Sequence, residues 1–210
     1  GRWPDARGVA DFVTIANLAA SSLGEDDQLR SPDDDTHLSR SVKAVWDVER
    51  QAAIRDHTWN FAMRRAVLAQ VAGQDASPYA AVYRLPATSL RLVEVLGYRR
   101  ADYQLEGPFI LSSAPAPLRI RYLVDVPEPA EWDAMFAKVF AMRVAWQIAD
   151  RITGDTGRVQ IAERKYLAAL REAKRVDARE NPPVPFEPGT WELSRGGVPE
   201  RVDSNGFIWP

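Results

Sequence analysis

Cysteine is absent from the 210 residues. That removes disulfide frameworks, thiolate metal sites and cysteine nucleophiles. Histidine is nearly absent too, with only His37 and His57. A three-histidine metal site is therefore impossible. No apolar run approaches the ~20 residues a helix needs to cross a bilayer. Neither sign of charge dominates: 27 basic and 29 acidic side chains leave a formal net charge of -2. No global basic field draws the chain to nucleic acid or anionic lipid, and no concentrated basic face is legible. Glycine-rich phosphate loops and Gly-x-Ser-x-Gly elbows are missing as well.

What is present is the composition of a globular protein, 46% hydrophobic and 27% charged. That suits one domain, or one domain with a substantial appendage. Residues 1–7 are polar around Trp3-Pro4 and read as an arm. From Val9 to Leu23, Phe12, Ile15/Ala16, Ala19 and Leu23 fall at helical spacing, and Gly24 ends the run. Residues 25–35 form an acidic loop that closes in good N-cap chemistry. A second helix is predicted from about Thr36 to Asp56, burying Leu38, Val42, Val45/Trp46 and Ala52/Ala53. The acids ahead of it suit the positive end of its dipole. A third helix is predicted from about Trp59 to Val71, with Gly73 as its stop.

The period then falls from 3.6 to 2. Strands are expected around Tyr79–Leu85, Leu90–Leu96, Tyr103–Glu106, Phe109–Leu111 and Leu118–Val124, making one small antiparallel sheet. Pro129 is read as the first residue of a long helix striped by Trp132, Met135/Phe136, Val139/Phe140, Val144, Ile148 and Ile152. It should be the most buried helix, and Gly154 ends it. A further helix covers about 157–179, with an outer face of mixed charge that reads as solvated. From Asn181 the prolines and glycines exclude regular structure. That tail nevertheless carries Phe186, Trp191, Phe207, Ile208 and Trp209. Apolar side chains on a segment unable to fold alone imply docking, so these five are the candidate interface residues.

The fold class expected is α+β, mainly α. It comprises an antiparallel helical bundle with a small inserted antiparallel β-sheet and an extended C-terminal tail. The divisions are 1–76 for the first helices, 77–127 for the sheet, 128–180 for the two long helices and 181–210 for the tail.

Catalytic signals are thin. His57 has no Ser or Cys partner at a diagnostic spacing and reads as structural. Asp33-Asp34-Asp35 lacks the alternation, central glycine and closing Glu of a calcium loop. Glu106 with Asp125 is a formal carboxylate pair for glycoside cleavage, but 29 acidic residues offer many such pairs. No catalytic residue, cofactor or metal site is assigned.

One cluster stands out: His57-Thr58-Trp59-Asn60-Phe61-Ala62 at a helix junction. It is accompanied, in order, by Ile15-Ala16-Asn17-Leu18-Ala19 with Leu23-Gly24, Arg64-Arg65-Ala66 with Leu68-Ala69, Tyr83-Arg84-Leu85-Pro86, and Leu90-Arg91-Leu92-Val93-Glu94-Val95. Then come Tyr103-Gln104-Leu105-Glu106-Gly107, Arg121-Tyr122, Asp125-Val126-Pro127, Ile152-Thr153-Gly154 and Asp177-Ala178-Arg179-Glu180. This ordered set, over roughly residues 9–180, resembles the tail tubular protein A family, the head-to-tail adaptors (connectors) of short-tailed bacteriophages. Thr58 stands where that family has proline. The resemblance marks His57, Trp59, Asn60 and Phe61 as structural motif residues and implies a structural virion protein without enzymatic activity. It implies a ring of twelve copies under the portal protein, extending the DNA channel and seating the tail nozzle protein. Double-stranded DNA would pass through without sequence-specific binding, and no membrane would be involved. The protein would be made in the host cytoplasm and reside in the virion. The alternative from another class is a tail-associated, carboxylate-based polysaccharide or cell-wall hydrolase.

Overall fold

The computed structural model describes residues 10–180. Within them, α1 (Phe12–Leu23) and α2 (His37–Asp56) come first. The strands β1 (Met63–Leu68), β2 (Gln70–Val71), β3 (Ala81–Arg84), β4 (Ser89–Val95), β5 (Tyr103–Glu106), β6 (Phe109–Ser112) and β7 (Leu118–Val124) come next. Last are α3 (Ala134–Thr153) and α4 (Thr156–Glu180). The protein is α+β and mainly α, as expected. Its packing up to Asp177 forms one compact unit.

The helix ends follow from local chemistry. Asp11 caps α1 by accepting from the Thr14 N–H at 2.7 Å, and Thr36 caps α2 by accepting from the Ser39 N–H at 3.1 Å. Gly24 ends α1 at φ 77, a left-handed conformation that glycine adopts without steric cost. The predicted start of the long helix moves. Pro129–Glu131 is a separate 3-10 turn, and Asp133 opens α3 by accepting from Met135 N and Phe136 N. Pro129 satisfies the geometry of a first helical residue, but the side-chain cap lies four residues later.

The predicted third helix is wrong. Asn60–Ala62 is one 3-10 turn, and the chain then runs as β1 and β2. Ala, Met, Arg and Leu favour helices, so the segment's propensity points the wrong way. The decisive factor is pairing. β1 lies antiparallel to β7, with Met63 opposite Leu123 and Leu68 opposite Leu118. Without β1, that side of β7 would leave a row of backbone donors and acceptors unpaired. Burial follows the strand: Leu68 is 8% exposed and Val67 65%.

The single expected sheet is two. One has the order β1-β7-β4, the other β2-β3-β6-β5, all antiparallel. The strands therefore begin at Met63, not after residue 77. The 1–76 division of helices alone does not hold. Leu118, Ile120 and Tyr122 of β7 join Tyr83 of β3 and Ile110 of β6 in one core with the helices.

α3 packs against α1 and α2. It buries Phe136, Ala137, Val139, Phe140, Ala141, Met142, Val144, Ala145, Ile148 and Ala149. That is the longest buried set among α1, α2 and α3. The tail interface candidates Phe186, Trp191, Phe207, Ile208 and Trp209 lie outside the described residues.

Candidate functional site at the His57–Phe61 junction

α2 must stop and turn into a strand within seven residues, and the junction motif performs that turn. His57 and Trp59 adopt extended backbone, and Ala62 N–H closes the 3-10 turn on the Trp59 carbonyl at 3.2 Å. The last four carbonyls of a helix have no partner inside it. Here the Trp59 indole N–H donates to the Ala53 carbonyl at 3.0 Å, and Arg91 donates to the Arg55 carbonyl at 2.7 Å. Two orphan acceptors at the end of α2 are thus satisfied by side chains from outside the helix. The indole ring also fills the core, where Trp59 is 2% exposed.

From Trp59 an aromatic chain runs through the interior. Trp59 meets Phe136 edge-on at 5.1 Å, and Phe61 lies 4.8 Å from the same ring. Phe136 continues to Trp132 at 5.2 Å, Trp132 to Phe140 at 5.1 Å and Phe140 to Trp46 at 5.0 Å. Trp46 ends the chain on Phe12 of α1 at 4.8 Å. Edge-to-face contacts of this kind stabilise by about 0.5–1.5 kcal/mol each beyond burial. The junction therefore connects α1, α2, α3 and the start of β1 through one set of rings.

His57 extends the motif to α4. Its Nε2 lies 2.7 Å from Asp177 Oδ2, and its ring sits edge-on to Trp59 at 4.8 Å. A His–Asp pair also orients catalytic imidazoles, so its surroundings matter. Both side chains are largely covered, 20% and 14% exposed, and the histidine ring lies against the indole. Among the described residues, the imidazole's side-chain hydrogen bond goes to Asp177 and not to a hydroxyl nucleophile. The pair joins α4 to the junction. Asn60 opens the 3-10 turn on the exposed side.

Two arginine centres, one buried and one half-buried, frame this junction. Arg50 on α2 donates from Nε and one Nη to both Asp125 oxygens at 2.8 Å, and it also pairs with Asp47. Gln51 adds a donor to Asp125 at 3.1 Å. The Arg50 hydrogen bonds hold the Asp125 carboxyl below its ordinary value despite burial. Arg143 on α3 donates to Glu49 at 2.5 Å, to Asp56 at 2.7 Å and to the Tyr166 hydroxyl at 2.9 Å. Burial works against that charge, and the partners outweigh it, so the Arg143 pKa is raised. Burial raises the Tyr166 phenol, against the opposing pull of Arg143.

The remaining sequence candidates are structural or apart. Asp125 is occupied by Arg50 and Gln51, while Glu106 sits on β5 of the other sheet and accepts from Gln104 at 3.2 Å. The two do not form one carboxylate site. Asp34 accepts from the backbone N–H groups of Arg30 at 2.7 Å and Ser31 at 3.1 Å, which lower its carboxyl pKa. Asp35 pairs with Arg40 at 2.6 Å. His37 lines a shallow groove with Glu25, Asp27, Thr36, Leu38 and Ile152. Among the described residues, no group of three or more His, Asp and Glu side chains is arranged to hold a metal ion.

The His57–Asp177, Arg50–Asp125 and Arg143–Glu49 pairs were not legible in the sequence. They join positions 120, 75 and 94 residues apart, and no local pattern announces such a contact. The helical period does suggest which face Arg50 and Arg143 occupy, and nothing more. No family model and no curated protein matches this chain.

Proposed function

We propose that this chain is a structural head-to-tail adaptor of a short-tailed bacteriophage. In this reading copies form a ring beneath the portal protein, extend the DNA channel and seat the tail nozzle. The support is the ordered run of motifs from Ile15 to Glu180, together with what its central motif does. The observation that carries the reading is the junction itself. His57, Trp59 and Phe61 are consumed by packing and by joining four elements, and not by forming a reactive cleft. A mechanical coupling part needs that kind of rigidity and needs no bond-making group.

A closed ring of identical copies uses two different faces of each subunit, a heterologous contact. The helices would supply the subunit and portal surfaces, and the strands would face the distal tail. The aromatic tail residues Phe186, Trp191, Phe207, Ile208 and Trp209 would anchor on the portal or a neighbour, since Trp dominates interface energetics. The near-neutral net charge of -2 suits a channel through which DNA slides.

The test is to mix the purified protein with isolated portal rings and image the product. Annular particles extending the portal are the expected result. Their absence would overturn the reading, and turnover on a bacterial polysaccharide in a zymogram would replace it with the hydrolase. Deleting residues 186–210 should abolish joining to the portal; undiminished assembly would remove the tail's assigned role.

A further inference from the structure

The charges of α4 are mixed in sequence, but most of its acids are taken up by other elements. Two of its three acids up to Asp177 are held by other elements: Asp177 by His57 and Glu172 by Lys138 at 2.9 Å. Glu163 is half-buried at the margin. Ala162, Tyr166, Ala169 and Ala173 face the core. Arg164, Arg171 and Arg175 are exposed, Lys174 is half-exposed, and none has an acidic partner among the described residues. Lys174 and Arg175 lie three and four residues beyond Arg171. Like charges at those separations destabilise a helix by a few tenths of a kcal/mol. Amid these cations Leu167 is 41% exposed. An exposed apolar side chain flanked by Arg164 and Arg171, with Lys174 and Arg175 following on the next turn, is a surface lacking an acidic partner.

The same chain carries the complement. The loop of residues 25–35 is acidic and well held. Asn17 grips the Leu29 backbone at both ends, donating to its carbonyl at 2.9 Å and accepting from its N–H at 2.7 Å. Leu29 itself is buried, and Asp34 pins Arg30 and Ser31. Asp26, Asp27 and Asp33 are left exposed, with no cationic partner among the described residues. Rigid charges of opposite sign reward docking more than mobile ones do, because less order is lost on contact.

Within one molecule the two surfaces are turned apart. The chain around this loop lies beside α4 at Arg158 and Lys165: Arg158 pairs with Glu25 at 3.5 Å, and Lys165 donates to the Ser22 carbonyl. At about 100° per residue, Leu167, Arg171 and Lys174 lie roughly 120–180° around the helix from those two side chains. The acidic loop and the cationic flank therefore occupy opposite sides of α4.

We propose that the loop of residues 25–35 of one copy docks on the Leu167–Arg171–Lys174 flank of α4 in the next, a head-to-tail contact between copies of this chain. Arg164 and Arg175 border the contact and steer the approach. The proposal deepens the adaptor reading by naming the subunit contact. It rests on that reading for closure into a ring, while the pairwise contact stands on charge and geometry alone.

The lack of native cysteine makes the test clean. Gln28 lies within the loop, and Ala168 borders the flank beside Arg164 and Arg171; both are exposed and neither is charged. The Q28C/A168C double variant, treated with a short bis-maleimide at low salt and high protein concentration, should give a ladder of species beyond dimer. Either single variant should stop at background. Adding R171E/K174E should reduce the ladder at least about tenfold, since like charges facing one another are strongly disfavoured. Adding D26K/D27K to that variant should restore it, which also shows that the reversed chains are folded. The assay omits the portal, so its failure is distinguishable from failure of the adaptor reading. The proposal is overturned by no ladder, by a ladder indifferent to R171E/K174E, or by strong dimers from either single variant. It is equally overturned if the flank instead binds a fluorescent DNA duplex, with R171E/K174E abolishing that binding and no ladder forming.

Discussion

His57 places its Nε2 2.7 Å from the Asp177 carboxylate, across 120 positions of sequence. The contact fastens α4 to the turn that ends α2. Asp177→Ala should therefore destabilise the protein by ~1–3 kcal/mol, the usual cost of a charged hydrogen bond lost in a covered site. A double-mutant cycle with His57→Ala should show a coupling energy of ~0.5–3 kcal/mol. Denaturant unfolding of the four proteins measures it. Strict additivity would mean the pair does not act as a unit.

Trp59 both fills the core and caps Ala53. Trp59→Ala should cost ~3–5 kcal/mol, as large-to-small changes of buried aromatics do. Trp59→Phe keeps most of the ring and removes the donor, so its cost should be smaller and confined to the end of α2. Amide hydrogen exchange at the end of α2 would report it. Equal losses in the two variants would contradict the capping role.

Arg50 is buried against Asp125, its partner at two guanidinium nitrogens, and keeps only the exposed Asp47 when Asp125 is removed. Asp125→Ala should cost ~1–3 kcal/mol, the usual cost of charged hydrogen bonds lost at a covered group. The pH dependence has a defined sign. The Asp125 pKa is lowered in the folded state, so the unfolded chain takes up the proton first. The stabilisation is complete above the ordinary carboxylate value of about 3.9 and is lost as pH falls below it through the folded value. Asp125→Asn should flatten the stability profile in that acid window. A profile identical to that of the parent would contradict the assignment.

The segment 63–68 offers a direct contrast between neighbours. Val67 is 65% exposed and Leu68 is 8% exposed on the two faces of β1. Val67→Lys should change stability by no more than about 0.5 kcal/mol, whereas Leu68→Lys buries a charge and should unfold or severely weaken the protein. Thermal melts separate the two. Equal effects would argue against a strand at this position.

Much of the architecture was legible because its causes are local. Gly24 and Gly154 sit where helix ends require them, and the period-two pattern of Leu118, Ile120, Tyr122 and Val124 marks β7 unaided. The stripe of α3 appears in the sequence as in the core. The site was less legible. The Trp-Asn-Phe cluster announced a junction by its composition, and its position at the end of α2 was right. Its partners Ala53, Phe136 and Asp177 were not readable, since only folding brings them near.

Sequence alone determined the helices α1, α2, α3 and α4, the hairpin of β5 and β6, and the exclusion of cysteine chemistry, because each depends on neighbours a few residues away. Tertiary structure decided that Met63–Leu68 is a strand, that the strands form two sheets, that Arg50 and Arg143 pair with distant acids, and that Asp177 and Glu172 of α4 are taken up by His57 and Lys138. Those outcomes depend on backbone groups and charges that must find distant partners, and local propensity holds no information about where those partners lie.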